Sequence, residues 1–307
     1  MDLSSINPVL LIASIMVSAT PILLAAIGEM VVEKAGVLNL GVEGMMIVGA
    51  VVGFAVAVNA GSPFPGFVAA ALASAVLSLS FGFLTLYLMS NQVATGLGLT
   101  LVGLGLSSLI GKPYEGMKSP AMPKLDIPVL SDLPVLGRML FSHDIMVYIS
   151  LLLVVAVWAF LKYSRAGLIL RAVGESHDAA HALGYKVIRI RMMAIFFGGA
   201  CAGLGGAYLS LVRVPQWTEG MTAGAGWIAL AIVVFASWRA GRVALGAYLF
   251  GGVTVLQLNL QAADVPVPVA LLSMSPYLIT IVVLVFISAR GAHGAPASLG
   301  RAFHATS

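Results

Sequence analysis

Charge is what this sequence has least of. Lys, Arg, Asp and Glu make up 9% of its 307 residues, and 60% are hydrophobic. A soluble domain carries about 25% charged residues. A shortage this large leaves too little polar surface to face water, so the chain is read as an integral membrane protein. The apolar runs are continuous rather than alternating, which points to helices and away from a barrel. The single cysteine, Cys201, lies in an apolar run and excludes a disulfide framework. Metal-ligand spacing is lacking too. His177 and His181 share a helix face without a third ligand, so no metal is expected. There is no Ser/His/Asp set, and the chain reads as a non-enzyme. "GLSSLIGKP" (105–113) has one residue too many for a phosphate-binding loop and puts Pro113 where a hydroxyl belongs. The net charge of +4 sits in loops, where it sets topology, so no nucleic-acid partner is expected. The N-terminus lacks a basic region, and its first apolar run is too long for a signal core.

What is present is a series of oily runs. A membrane helix needs about 20 apolar residues. Breakers such as "NAGSPFPG" (59–66) and "SNQ" (90–92) divide the long runs. The predicted spans are 8–28, 44–60, 66–89, 93–110, 145–161, 192–212, 222–238, 243–262 and 269–289. The fold class is therefore an all-α polytopic bundle of about nine transmembrane helices, eight to ten being compatible with the breakers. Residues 1–307 form one transmembrane domain. The loop 111–143, with Pro113, Pro120, Pro123, Pro128 and Pro134, is expected outside. The segment 162–191 holds six Lys or Arg against Glu175 and Asp178, which places it in the cytoplasm. Arg239, Arg242, Arg290 and Arg301 then fall inside as well. Counting back puts the N-terminus outside, unless residues 29–43 form a broken or re-entrant helix.

Several smaller features carry expectations. Gly49/Gly53 and Gly199/Gly203, continued by Gly205 and Gly206, make small faces that let helix backbones approach closely. "GESHDAAHALGYKV" (174–187) reads as a short amphipathic helix, capped at Ser176 and ended at Gly184. It can rest on headgroups or dock in a partner's groove. Trp217 and Trp238 lie near span ends and are assigned to the membrane interface. Gln257 and Asn259 are expected to hydrogen-bond between helices.

Three stretches resemble a known family. "RAVGESHDAAHALGYKVIRIR" (171–191) resembles the coupling loop of ABC importer permeases, with Glu175, Ala179, Ala180 and Gly184 in the pattern's places. Ser176, His177 and Asp178 separate the acid from the alanines, as is common in the branched-chain amino acid and ribose branch. "GEMVVEKAGVLNLGVEGMMIVGA" (28–50) resembles the signature of the nucleoside and simple-sugar permeases of that branch, and "GWIALAIVVFASWRAGRVALGAYLFGG" (226–252) resembles their later block. The resemblance implies a permease subunit of an ATP-driven importer in a bacterial cytoplasmic membrane. Nucleosides are the leading substrate, ahead of ribose or galactose and then branched-chain amino acids. It implies a second, longer permease subunit, ATPase subunits on the coupling helices, and a substrate-binding lipoprotein or periplasmic protein. The chain binds no cofactor of its own; ATP is used by the partners.

The stretch "EKAGVLNLGVEGMM" (33–46) stays open. Glu33 and Lys34 fit a cytoplasmic turn in which they pair in water. Asn39 and Glu43 fit a broken helix at the substrate pathway, where they hydrogen-bond a ribose-like substrate, or braces between helices. Gln92 and Thr95 are further pathway candidates. A proton-coupled secondary transporter using Glu29, Glu33 and Glu43 is the competitor from another class.

Overall fold

The computed structural model describes residues 8–126, 141–262, 268–289 and 294–304. The chain forms α1 (Pro8–Lys34), α2 (Val42–Ala60), α3 (Pro63–Leu86), α4 (Gln92–Gly111), α5 (Ile145–Tyr163), α6 (Arg165–Glu175), α7 (His177–Ala182), α8 (Val187–Tyr208), α9 (Ala225–Phe235), α10 (Ala240–Ala262) and α11 (Val269–Ala289). Seven of the described helices are long and apolar enough to cross a bilayer. An antiparallel pair, β1 (Lys124–Asp126) and β2 (Ser142–Asp144), flanks the middle of the predicted outer loop. Pro128 and Pro134 of that loop, and Arg290 of the tail, lie outside the described residues.

Local chemistry explains the boundaries. Asn91 caps α4 by accepting from Ala94 N–H at 3.0 Å. Asp144 caps α5 through Met146 and Val147 N–H, and its other oxygen accepts from Tyr208 O–H at 2.7 Å. Ser164 and Ser176 cap α6 and α7, each accepting from a backbone N–H three residues on. The short helix expected in 174–187 is the six-residue α7, begun at the Ser176 cap and followed by a turn at Gly184, whose φ is +84°.

The centre of the bundle is α8, which packs against α1, α2 and α3. The small faces act as expected. Gly49 meets Gly203 backbone to backbone, and a β-carbon on Gly206 would overlap the carbonyl of Met46. Helix α1 runs antiparallel to α8, with Gly28 beside Gly198 and Cys201, and Pro21 beside Gly205. The neighbours then repeat: α3 lies on α8 as α10 lies on α1, and α2 lies on α8 as α9 lies on α1. Two halves of like connectivity are related by inversion, a common plan among transporters.

Four expectations change. Helix α1 continues six residues past 28, to Lys34. Glu29 and Glu33, one turn apart, are therefore inside the packed helix, and Glu33 faces inward instead of pairing with Lys34 in water. The predicted span 222–238 is an eleven-residue helix, α9, about 16 Å long. That is half a hydrocarbon core of about 30 Å. Trp217 and Trp238 are 2% and 8% exposed, so they pack inside rather than anchor at the interface. Asn259 donates to Val255 of its own helix and to no other helix among the described residues.

Gly206→Leu is expected to lower the thermal midpoint of the detergent-purified protein, since overpacking costs about 1–3 kcal/mol. Gly98→Ala, where nothing lies within 4 Å of the new β-carbon, serves as the control and leaves the midpoint unchanged or higher.

Candidate functional site

The site begins where α1 stops. Residues 35–41 leave the helix and climb beside the first turns of α4. Leu38 N–H donates to Gln92 Oε1 at 2.8 Å, and Thr100 O–H points at the carbonyls of Leu40 (3.3 Å) and Gly96 (3.2 Å). Asn39 is fully buried and makes a local turn, its Oδ1 accepting from Gly41 N–H at 2.9 Å. Helix α2 then starts level with Thr100, about 12 Å above the start of α4. It is a helix whose N-terminus lies within the membrane.

Helix α9 starts at the same level from the opposite direction. Residues 214–224 descend without regular structure, with Trp217 against Gly111 and Ser108 O–H donating to Glu219 at 2.6 Å. The two N-termini meet at Glu43, in the first turn of α2. Glu43 Oε1 accepts from Thr222 O–H at 2.6 Å and Gly224 N–H at 2.8 Å, and Oε2 accepts from Gly226 N–H at 2.7 Å. Gly226 is required by this approach: a β-carbon there would sit 2.5 Å from the Glu43 backbone. A carboxylate on a helix N-terminus satisfies its free N–H groups and complements its dipole.

The far end of α9 returns to α1. Ser237 and Trp238 both have left-handed backbones, φ +50° and +55°, and the Trp238 indole N–H donates to Glu33 Oε2. Glu29 Oε1 and Glu33 Oε1 have no partner among the described residues. The four predicted pathway residues lie on two elements: Asn39 on the break and Glu43 in the first turn of α2, and Gln92 and Thr95 in the first turn of α4, where the Thr95 hydroxyl is 2.8 Å from that of Ser90. Their polar atoms engage the chain itself in this conformation. Thr222, Gly224 and Gly226 were not foreseen; the only signal was the glycine density of "GMTAGAG" (220–226).

At the other end of the break lies the predicted coupling loop. Arg191 is fully buried and joins three segments: its Nε donates to Ala35 C=O at 3.1 Å, Nη1 to Arg301 C=O at 3.2 Å, and Nη2 faces His177 Nδ1 at 3.2 Å. Residues 294–304 run under α7 as a strap. Ser298 N–H donates to Gly174 C=O at 2.9 Å, and Phe303 lies edge-on between the rings of His177 and His181, at 5.4 and 5.3 Å. Of the predicted coupling residues, Glu175 accepts from Ala297 N–H and Ala180 packs inward on Val173, Val187 and Phe303. Ala179 and Gly184 face outward, beside the 77% exposed Leu183.

The two opposed helix N-termini thus meet within the bundle, with the helical loop of α6 and α7 at the far end of the break. Residues 11–287 match the family described as the permease component of branched-chain amino acid transport systems. The chain belongs to that family of ABC transporter permeases, whose members are transport components of multi-pass membrane form. A Haloferax volcanii protein named provisionally as a glucose ABC transporter permease is 42% identical over 289 residues, 87% of this chain and 88% of that one. The guanosine ABC transporter permease NupQ of Bacillus subtilis is 32% identical over 92% of this chain and 93% of its own. The nucleoside permease NupC of Lactococcus lactis is 28% identical over 90% and 91%. No solved structure matches. Membership of an ATP-driven family sets aside the proton-coupled competitor, and Glu43, with both oxygens bonded, is not a free relay group.

Glu43→Ala leaves three donors unpaired, two of them buried. Bonds to a charged acceptor are worth about 1.5–3 kcal/mol each, so a loss of about 3 kcal/mol or more is expected by thermal unfolding, with a smaller loss for Thr222→Val. A second outcome concerns pH. Burial, then the neighbouring Arg191 charge, holds the His177 imidazole below its usual range, with Asp178 opposing and Arg301 assisting. The released loop thus binds a proton more readily than the clamped one. The strap's hold is full above about pH 6.5 and weakens as pH falls through and below that value. Hydrogen exchange at 294–304, corrected for intrinsic rates, should accelerate on acidification in the wild type but not in His177→Gln.

Proposed function

We propose that this chain is the permease subunit of an ATP-driven importer for nucleosides in a bacterial cytoplasmic membrane. The observation that carries this reading is the likeness to guanosine and nucleoside permeases over nine-tenths of the chain. The geometry supports it. Where α2 and α9 meet, the one carboxylate is fully bonded, so no free charge faces a neutral, hydroxyl-rich solute. Asn39, Glu43, Gln92 and Thr95 border that pathway and fix its wall. A sugar is the second reading, favoured by the 42% identity to the glucose-type protein. Ribose and galactose belong to that reading, and branched-chain amino acids stand third.

The ATPase partner docks on the cytoplasmic loop. Ala179, Ala182 and Leu183 form the outward surface, while Glu175, Ala180 and Gly184 set its position. A second, longer permease subunit completes the pore, and an extracytoplasmic binding protein, soluble or lipid-anchored, delivers substrate. ATP is bound by the ATPases and not by this chain. Motion at α7 reaches the break through Arg191, which holds both.

The test is uptake of labelled guanosine, uridine, ribose, glucose and leucine in cells with and without the gene, with ATP depleted or the proton gradient collapsed. Gene-dependent nucleoside uptake that follows ATP is expected. Uptake that follows the gradient, or is confined to glucose or leucine, overturns the nucleoside reading. Ala179→Arg should abolish uptake while the protein still reaches the membrane in normal amount.

A further inference from the structure

A cleft of about 840 Å³ opens at the cytoplasmic end of the bundle, between α5, the end of α1, α6 and the α9–α10 turn. Lys34, Lys162, Arg171, Arg239 and Arg242 line it, and no carboxylate does. Lys34 lies within electrostatic reach of both Arg171 and Arg239, with Glu175 as the acid acting on it. Arg171 Nε is buried with no partner among the described residues. A concentration of positive charge with an unused guanidinium donor suits an anion from outside the chain, and guanidinium groups fit phosphate oxygens in pairs. The opposite wall is oily: Val154, Val155 and Leu161 of α5 continue from the basic rim toward the bilayer core. Trp158, 45% exposed, stands between the two, with Lys162 Nζ 5.0 Å above its ring, as indoles do at headgroup level.

We propose that this cleft binds an anionic phospholipid of the cytoplasmic leaflet, its phosphate among Arg171, Lys34 and Arg239 and an acyl chain along α5. A soluble phosphate matches the cations but leaves the apolar wall unused. Basic recesses between helices on the cytoplasmic side take acidic headgroups by this chemistry. The occupant ties α1, α6 and the strained Ser237–Trp238 turn together at the base of α9.

Trp158 and Trp238 line the cleft and report on it directly. The full-length protein is reconstituted in phosphatidylcholine vesicles carrying dibrominated phosphatidylglycerol or dibrominated phosphatidylcholine. Trp227, 47% exposed, gives a background common to both lipids. Quenching by the brominated phosphatidylglycerol should saturate at a mole fraction at least about fivefold lower, the factor expected of even one basic contact. Arg171→Gln/Arg239→Gln should remove that preference, and the outer-loop control Lys124→Gln should keep it. Equal quenching by the two lipids in the wild type overturns the proposal, whether or not the double variant folds. Displacement of the brominated lipid by millimolar inorganic phosphate overturns it in favour of a soluble anion.

Discussion

Glu43 and the start of α9 each solve a problem the other creates. A helix that begins inside a membrane leaves backbone N–H groups that no water can satisfy. A carboxylate at that depth costs about 2.5–3.5 kcal/mol on insertion scales. Brought together, the carboxylate takes Thr222, Gly224 and Gly226 as donors, and neither group is left exposed to hydrocarbon. The contact fixes the height and direction of α9. That in turn delivers Trp238 to Glu33 and closes the ring from α1 through the break to α2, α9 and back. Gly226 permits the approach, and the small faces of α2 and α8 hold α2 where the approach can occur.

Below this ring, Arg191 does for the loop end of the bundle what Glu43 does for the middle. Its three nitrogens reach the break at Ala35, the loop at His177 and the strap at Arg301. The buried guanidinium donates to neutral acceptors rather than to a carboxylate. The break, the loop at α7 and the strap are therefore held by one side chain.

Much of this architecture was legible in the residues. Apolar runs and Gly/Pro breakers located most helices, because a bilayer imposes length and composition on anything that crosses it. Ser176 and Gly184 marked the ends of α7, because capping chemistry is local. The family motifs pointed to the class. The half-length of α9 was not legible: "GWIALAIVVFAS" is as oily as a full span, and composition carries no information about the depth at which a helix starts. Glu29 and Glu33 read as a boundary because charges end spans in most sequences. The partner that Glu33 meets inside the bundle is a tryptophan 205 residues away. The inward turn of Trp217 and Trp238 was hidden for the same reason. Asn39 and Glu43 stood out by type, but their partners are backbone groups, which every residue has. The strap gave no signal, since "GAPASLGRAFH" (294–304) is short, small and without periodicity.

The strap carries a consequence for biosynthesis. Ser298 closes on His177 across 121 residues of chain. When the ribosome has finished α7, the segment that clamps it has not yet been made, and four more helices, α8 to α11, must be made first. The proposed docking loop of a nascent chain thus lacks its clamp until residues 294–304 emerge and Phe303 seats between the two histidines. The last residues to be made finish a loop begun more than a hundred residues earlier, so a chain cut short before the strap keeps the helices and loses the clamp.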